Sequence, residues 1–205
     1  MSTRRIGLLG YGSVGRYLAR RVLDAPELAL AFVYNRSAEA LSDPRLSGVT
    51  TASGSLSAAW PALAAAGADL VVEVAHASIV ADHGADILAA ADLYVASITA
   101  LADPYLARTL RAAADRHALY LPAGAAWGVH DVARLDRVDG IRQLTVAMRF
   151  HADALRLNGE PATRLAAYRA DAEDEAPCLL FDGPVSELAP LAPNNVNTMT
   201  CLALA

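Results

Sequence analysis

The chain has 205 residues, 55% of them hydrophobic, and a formal net charge of −5 at pH 7. A chain of this length can bury one large hydrophobic core or two small ones. Acids outnumber bases and no Lys/Arg cluster occurs, which argues against a nucleic-acid partner. Charged residues interrupt even the most apolar stretch, residues 68–102, so we predict no membrane span.

The N-terminus and the two cysteines indicate a cytoplasmic protein. Residues 1–5 lead into a short apolar strand followed by glycines, instead of the core and cleavage site of a signal peptide. Cys178 and Cys201 lie far apart, without a Cys-x-x-Cys or Cys/His spacing. We therefore expect reduced thiols that pack in the interior, with no disulfide and no metal site.

Short apolar runs alternate with Ala- and Leu-rich helical patterns over the first 121 residues. The runs are continuously apolar, as in strands that crossover helices cover on both faces. This order predicts an α/β fold with a Rossmann-type doubly wound parallel sheet. The predicted strands are Arg5–Leu9, Leu28–Tyr34, Leu70–Ala75, Leu93–Ser97 and Ala118–Leu121, and the predicted helices are Ser13–Leu23, Leu56–Ala66, Ser78–Ala90 and Asp103–His117.

The pattern changes in the second half of the chain. A helix over Trp127–Leu135 and an alternating strand over Ile141–Phe150 precede the polar stretch Asp171–Glu175 and a second strand at Cys178–Phe181. We therefore predict two domains: a Rossmann domain at residues 1–123 and a smaller α/β domain at residues 124–205.

A glycine motif stands directly after the first strand and directly before the first helix. The first glycine permits a tight turn, the second lets a pyrophosphate approach the backbone, and the third allows close helix packing. The free N–H groups of that helix would then bind the phosphates. A turn without a ligand is the weaker interpretation in this context. The predicted cofactor-binding residues here are Gly10, Tyr11, Gly12, Ser13, Val14 and Gly15.

The end of the second strand bears on the choice between NAD and NADP. An NAD-specific site usually carries an acidic residue about 20 residues beyond the glycines, whereas this chain has Asn35 and Arg36. Asn35 can bond a ribose hydroxyl, and Arg36 can pair with a 2′-phosphate or stack on adenine. Arg36 as a solvated surface charge is an equally good interpretation. We expect the cofactor to be NAD or NADP.

Three further segments could contact a ligand. Ala75 and His76 follow a strand, where they would line the nicotinamide ribose, although His76 could simply start a helix beside a Ser78 cap. The small residues at 122–128 could let backbone approach a flat ring or form a domain hinge. Residues 193–199 open a final helix. The free backbone N–H groups at its start could bind a carboxylate, or the Asn and Thr residues of the segment could simply cap the helix.

Together these segments resemble the L-aspartate dehydrogenase family, including its animal domain-containing members. The resemblance implies that the Rossmann domain at residues 1–123 binds NAD(P) and that the α/β domain at residues 124–205 serves substrate binding and oligomerisation. It implies interconversion of L-aspartate with iminoaspartate or oxaloacetate by NAD or NADP. It also implies that Ala125 and one asparagine of the pair Asn195 and Asn197, with Asn197 favoured, contact the nicotinamide. The chain departs from the family at His130, where related chains usually carry Glu or another residue. The matching stretches are Val33–Arg36, Asp69–His76, Gly124–Gly128 with Asp131, Asp182–Val185, and Asn195–Met199.

The resemblance also bears on which residue acts as the acid/base catalyst. The family's acid/base histidine belongs to a strand downstream of the asparagine motif, and this sequence ends at Ala205. None of the five histidines occupies that position, so the catalytic residue of this chain is unknown. We accordingly expect a C-terminally truncated chain with an incomplete second domain, which binds NAD(P) but oxidises aspartate poorly.

Three hypotheses on function remain open. The first is an NAD(P)-dependent dehydrogenase of L-aspartate. The second is a non-catalytic NAD(P)-binding or redox-sensing module, and the third is a reductase of another small amino or oxo acid. We expect a small-molecule amino-acid substrate and a homo-oligomer, a dimer, without a nucleic-acid or membrane partner.

Overall fold

A computed structural model describes residues 3–123, 126–171 and 176–205 of the chain. These residues form two compact units: residues 1–97 with 105–122, and residues 98–104 with 123–205. The short segment 98–104 thus clusters with the second unit, although it precedes the last strand of the first. The assignment of residues 1–123 to cofactor and 124–205 to substrate stays a prediction.

The first unit is built on a six-stranded parallel sheet with the strand order β3-β2-β1-β4-β5-β6. The order reverses between β1 and β4, which is the point where parallel sheets of this kind bind ligands at the carboxyl ends of their strands. The predicted fold class is therefore confirmed. The strands are β1 (Arg4–Leu9), β2 (Leu28–Asn35), β3 (Thr50–Ser53), β4 (Leu70–Glu73), β5 (Asp92–Val95) and β6 (Leu119–Tyr120).

The helices of this unit connect successive strands and match the predicted segments: α1 has the predicted bounds, α2 and α4 are shorter, and α3 begins one residue earlier and ends two residues earlier than predicted. Their apolar faces, together with the strands, make a core that includes Leu8, Tyr11, Ala19 and Val33. Buried apolar area of this kind is the main stabilising contribution to such a layer. The helices are α1 (Ser13–Leu23), α2 (Leu56–Ala65), α3 (Ala77–Leu88) and α4 (Pro104–Ala113), and 3-10 turns lie at Glu39–Leu41 and Pro44–Leu46. A further 3-10 turn, Ile98–Ala102, belongs to the second unit.

One strand of the sheet, β3, is absent from the sequence-based prediction. Its sequence is Thr-Thr-Ala-Ser, and its residues are mostly exposed because it forms the edge of the sheet next to β2. A polar edge strand carries no apolar run, so hydrophobic periodicity misses it. Hydrogen bonds with β2 hold it in place.

The second unit consists of helices and irregular segments in its described part. A small cluster, Ala102, Ala189, Ala192 and Val196, forms its buried centre, and Leu188 and Met199 pack against this cluster. The helices are α5 (Val129–Asp136), α6 (Gly159–Ala170), α7 (Val185–Leu188) and α8 (Asn197–Ala203), with a 3-10 turn at Ala152–Ala154. Across residues 3–123, 126–171 and 176–205, no helix is long and apolar enough to cross a membrane.

Two strand predictions in the second unit are wrong. Ile141–Phe150 and Cys178–Phe181 have no strand assignment, because neither segment has a hydrogen-bonded ladder partner among the described residues. Alternation of side chains selects a strand only when a neighbour completes the ladder. Helix α6 was in turn missed, since only Pro161 and Leu165 of its residues are buried and the apolar stripe is narrow.

Candidate functional site

The turn between β1 and α1 uses each glycine of the motif differently. Gly10 has φ +109°, and a Cβ there would lie 2.9 Å from the Cβ of Ala75. A Cβ on Gly15 would overlap the carbonyl oxygen of Gly10, whereas a Cβ on Gly12 would meet nothing within 4 Å. Gly10 and Gly15 are therefore required by the protein itself. The space above Gly12 is open, as a site for a backbone-bound ligand needs.

The start of α1 suits an anion. Gly12 is the N-cap, no side chain caps the helix there, and its first turn, Ser13 to Arg16, contains no acidic residue. The first N–H groups of a helix have no partners within the helix, and they carry the positive end of the helix dipole. The open space at Gly12 and these donors together fit the pyrophosphate of a dinucleotide.

Tyr11, between the glycines, anchors the turn to the segment after β2. Its side chain is buried, and its hydroxyl donates to Asp43 at 2.9 Å. Burial, with a smaller contribution from this hydrogen bond, raises the pKa of Tyr11. Asp43 in turn accepts from Arg45, whose hydrogen bonds hold the pKa of the Asp43 carboxyl well below its usual range. The guanidinium of Arg16 lies 5.7 Å from the centre of the Tyr11 ring.

Asp43 and Arg45 are absent from the sequence-based site. Their only local signal is an Asp followed by Pro, which is typical of a helix start, and Asp43 does cap the 3-10 turn Pro44–Leu46. Its second role, as acceptor for a tyrosine 32 residues away, depends on the tertiary structure.

Asn35 and Arg36 lie at the carboxyl end of β2. The Asn35 side chain is already engaged: its Oδ1 accepts from the Tyr11 N–H at 3.0 Å, and its Nδ2 donates to the Ser37 carbonyl at 3.1 Å. Arg36 is exposed, and its guanidinium has no ion pair within the described part of the chain. Arg36 is thus the freer of the two side chains to meet a ligand.

The loop after β4 places Ala75 against Gly10 and leaves His76 exposed. His76 is the N-cap of α3, and its Nδ1 accepts from the Ser78 N–H at 3.2 Å. The interpretation of His76 as a helix-start residue is therefore confirmed, but the expected cap at Ser78 is wrong, because the ring of His76 itself accepts the helix N–H. The role of Ala75 and His76 beside a nicotinamide ribose stays a prediction.

The asparagine motif lies in the second unit at the start of α8. Asn197 Oδ1 accepts from both the N–H of Thr99, at 3.0 Å, and the hydroxyl of Thr99, at 2.6 Å. Asn195 Oδ1 lies 3.5 Å from the N–H of Arg156. The N-cap of α8 is Val196, without a side-chain cap, so the expected Asn or Thr cap is wrong. Asn197 instead ties α8 to the segment 98–102.

The small-residue segment before α5 is described only in part. Gly124 and Ala125, the predicted contact of the nicotinamide, lie outside the described residues. Trp127 is 99% exposed, and Gly128 has φ +78°, which lets the chain turn into α5. The helix begins two residues later than predicted.

The five histidines have separate surroundings. His83 lies 3.5 Å from the Ser57 hydroxyl, His117 lies 3.6 Å from Asp92, and His151 lies 3.7 Å from Asp153. His76 caps α3, and His130 is exposed on α5. Among the described residues no group of three or more His, Cys, Asp or Glu side chains could hold a metal.

An open cavity of about 470 Å³ lies within the second unit. Apolar side chains dominate its wall, including Met148, Phe150, Leu165, Phe181 and Met199. Polar side chains line it as well, among them Arg149, His151, Tyr168 and Asn195, so the wall offers a cation and hydrogen-bond donors beside its apolar surface. The predicted phosphate and ribose contacts lie in the other unit, at the carboxyl edge of the sheet.

Comparison with known proteins gives two family matches that together span most of the chain. Residues 10–122 match the family model described as homoserine dehydrogenase, NAD binding domain, and residues 131–205 match the model described as aspartate dehydrogenase, C-terminal.

Individual relatives agree with these matches. An aspartate dehydrogenase domain-containing protein of Xenopus tropicalis is 37% identical over 98% of this chain and 69% of its own length. An L-aspartate dehydrogenase of Methanocella arvoryzae is 30% identical over 98% of this chain and 73% of its own length. The crystal structure of aspartate dehydrogenase from Thermotoga maritima superimposes with a TM-score of 0.61 at 16% identity, covering 98% of this chain and 73% of that one. The last match concerns the fold alone.

Proposed function

The chain belongs to the aspartate dehydrogenase family, and on that premise we propose that it oxidises the CH–NH₂ group of L-aspartate with NAD or NADP. The products are iminoaspartate and, after hydrolysis, oxaloacetate and ammonia. The observation that supports this proposal most is a combination of two features. The chain matches the family model described as aspartate dehydrogenase, C-terminal, and its glycine turn leaves open space for a pyrophosphate at Gly12.

The residues of this chain supply binding and orientation. Backbone at Gly12 and the first N–H groups of α1 would hold the pyrophosphate, and Arg36 would meet the adenosine end. Ala75, His76, Ala125, Asn195 and Asn197 remain the proposed contacts of the nicotinamide half. When bound, the nicotinamide supplies the acceptor for the hydride of the substrate's α-carbon. The acid/base group is unassigned among the five histidines.

The direct test combines binding with turnover. NAD and NADP are titrated calorimetrically, and reduction of each is then followed over a range of concentrations of L-aspartate, D-aspartate, L-glutamate and L-malate. We expect binding of at least one dinucleotide and the highest kcat/KM with L-aspartate. Dinucleotide binding without turnover would favour the binding or sensing module, and preference for another acid would favour a different dehydrogenase. Absence of dinucleotide binding would contradict all three.

Arg36→Asp tests the adenosine end. We expect a loss of NADP affinity of roughly tenfold or more, since a charge-assisted hydrogen bond contributes about 1.5–3 kcal/mol and about 1.4 kcal/mol corresponds to tenfold. NAD affinity should change less, because a carboxylate can accept from the ribose hydroxyl. Titration of both cofactors into wild type and variant measures the two ratios. The variant Arg108→Asp, the same charge change at an exposed arginine of α4 away from the glycine turn, is the matched control. Equal losses for NAD and NADP would show that Arg36 does not contact the 2′ position.

The proposal also covers the oligomeric state of the protein and its location in the cell. We propose a homodimer in the cytoplasm, where thiols stay reduced. Cys178 and Cys201 form no disulfide within the described part of the chain. Cys201 is buried as expected, whereas Cys178 is exposed, so the expected interior packing of Cys178 is wrong. Light scattering at several protein concentrations gives the mass of the particle and tests the dimer.

A further inference from the structure

Glu73, the last residue of β4, is the only charged side chain that is buried among the described residues, with no exposed surface. Four donors surround its carboxylate. Oε1 accepts from the N–H of Ala75 at 2.7 Å, the N–H of His76 at 2.9 Å and the hydroxyl of Ser97 at 2.9 Å. Oε2 accepts from the N–H of Ser97 at 3.0 Å. A buried carboxylate is stable when it is satisfied in this way.

These bonds join two loops that leave neighbouring strands. Ala75 and His76 belong to the loop after β4, and Ser97 follows β5. The backbone adds a further bond, from the Ala96 N–H to the Glu73 carbonyl at 3.0 Å. Three of the four donors are backbone N–H groups, so the carboxylate determines the path of the chain in both loops.

The first of these loops also supports the glycine turn. A Cβ on Gly10 would lie 2.9 Å from the carbonyl oxygen of Val74 and from Ala75 Cβ, and a Cβ on Gly15 would lie 3.7 Å from Val74 Cγ2. Because β4 neighbours β1 at the point where the strand order reverses, Glu73, the last residue of β4, lies at the sheet edge where folds of this kind bind a dinucleotide.

We propose that Glu73 is a positioning residue for the nicotinamide half of the cofactor, acting through the loops after β4 and β5. The proposal rests on the proposed function, since it assumes that a nicotinamide dinucleotide binds at this edge. Glu73 makes no contact with the ligand itself: it holds the backbone of Ala75, His76 and Ser97 in the positions that the ligand meets.

The test is Glu73→Gln, which preserves shape but replaces one acceptor oxygen by an N–H₂ donor that faces N–H donors. NADPH and NADH are titrated beside their adenine halves, 2′,5′-ADP and 5′-ADP. We expect affinity for the full dinucleotides to fall roughly tenfold or more, because the loops that meet the nicotinamide half lose the acceptor that holds them in place; tenfold corresponds to about 1.4 kcal/mol. Affinity for the adenine halves should stay near the wild-type value. Without ligand, the amides of Ala75, His76 and Ser97 should exchange hydrogen faster.

Two variants separate positioning from general stability. Leu63→Ala removes a fully buried side chain of α2 and should lower Tm while leaving the ratio of dinucleotide to adenine-half affinity unchanged. Ser97→Ala removes one of the four donors and should shift that ratio in the same direction as Glu73→Gln but less. It replaces Glu73→Gln in the test if that variant does not fold.

The outcomes distinguish this proposal from the function on which it depends. Equal losses for dinucleotide and adenine half, or no loss for either, would overturn the positioning role while the cofactor assignment stands. If the wild-type chain binds neither dinucleotide, the proposed function is overturned, and this proposal with it. A changed ratio in Glu73→Gln together with an unchanged ratio in Leu63→Ala supports it.

Discussion

Replacing Gly12 by valine is expected to abolish most dinucleotide binding while the protein stays folded. A Cβ at this position meets no protein atom within 4 Å, and the backbone there, at φ −79° and ψ −157°, is in the extended region that valine favours. We expect a stability change within about 1 kcal/mol, the usual range for an N-cap substitution. The side chain would instead occupy the space of the pyrophosphate.

The expected loss of affinity is large. Displacing the pyrophosphate removes charge-assisted hydrogen bonds of about 1.5–3 kcal/mol each, and two of them correspond to roughly a hundredfold or more in Kd at about 1.4 kcal/mol per tenfold. Calorimetric titration with NAD and NADP measures the loss, and thermal unfolding verifies the fold. Gly12→Ala should give a smaller loss. Unchanged affinity in the valine variant would show that no phosphate binds at this turn.

Replacing Gly15 by alanine should have the opposite profile, a loss of stability that needs no ligand. Alanine inside a helix normally stabilises by about 1 kcal/mol relative to glycine. Here, however, the added Cβ overlaps the backbone carbonyl oxygen of Gly10, which cannot rotate away as a side chain could. Overpacking of this kind costs about 1–3 kcal/mol, and the turn at Gly10 has little freedom because its φ is +109°.

We therefore expect the unfolding free energy of Gly15→Ala to fall by about 2 kcal/mol, the upper part of the overpacking range less the helix gain. For a chain of this size that is a Tm decrease of about 4–8 °C. Calorimetry of the ligand-free protein measures it. Gly12→Ala, the same change three residues earlier, is the control and should unfold close to the wild-type temperature. A Gly15→Ala protein as stable as wild type would mean that α1 can move away from the turn freely.

Part of the candidate site can be predicted from local sequence patterns. The glycine turn, β1 and α1 follow from residues 4–23 alone, because strand, turn and helix are each selected by neighbours in sequence. The same holds for the positions of Asn35 and Arg36 at the end of β2. Whether these residues contact a cofactor stays a prediction, and Ala125 lies outside the described residues.

The partners of the polar side chains in the site could not be read from the sequence. Glu73 is satisfied by Ser97, 24 residues away, and Tyr11 by Asp43, 32 residues away. Nothing in the sequence near Glu73 distinguishes a buried carboxylate from a solvated one. The sequence likewise indicates that Asn197 caps a helix, whereas in the structure its Oδ1 accepts from the hydroxyl of Thr99.

Sequence by itself determined the class of fold, the strand-turn-helix at Gly10 to Gly15 and the family, because apolar periodicity, glycine spacing and motif order are all properties of the chain in one dimension. Tertiary structure alone decided which segments became strands: the polar edge Thr50–Ser53 pairs with β2, while the alternating Ile141–Phe150 has no ladder partner among the described residues. The physical reason is that a strand is stabilised by hydrogen bonds to a distant neighbour. The alternation or polarity of side chains along a segment does not show whether a neighbouring strand is present to complete the ladder.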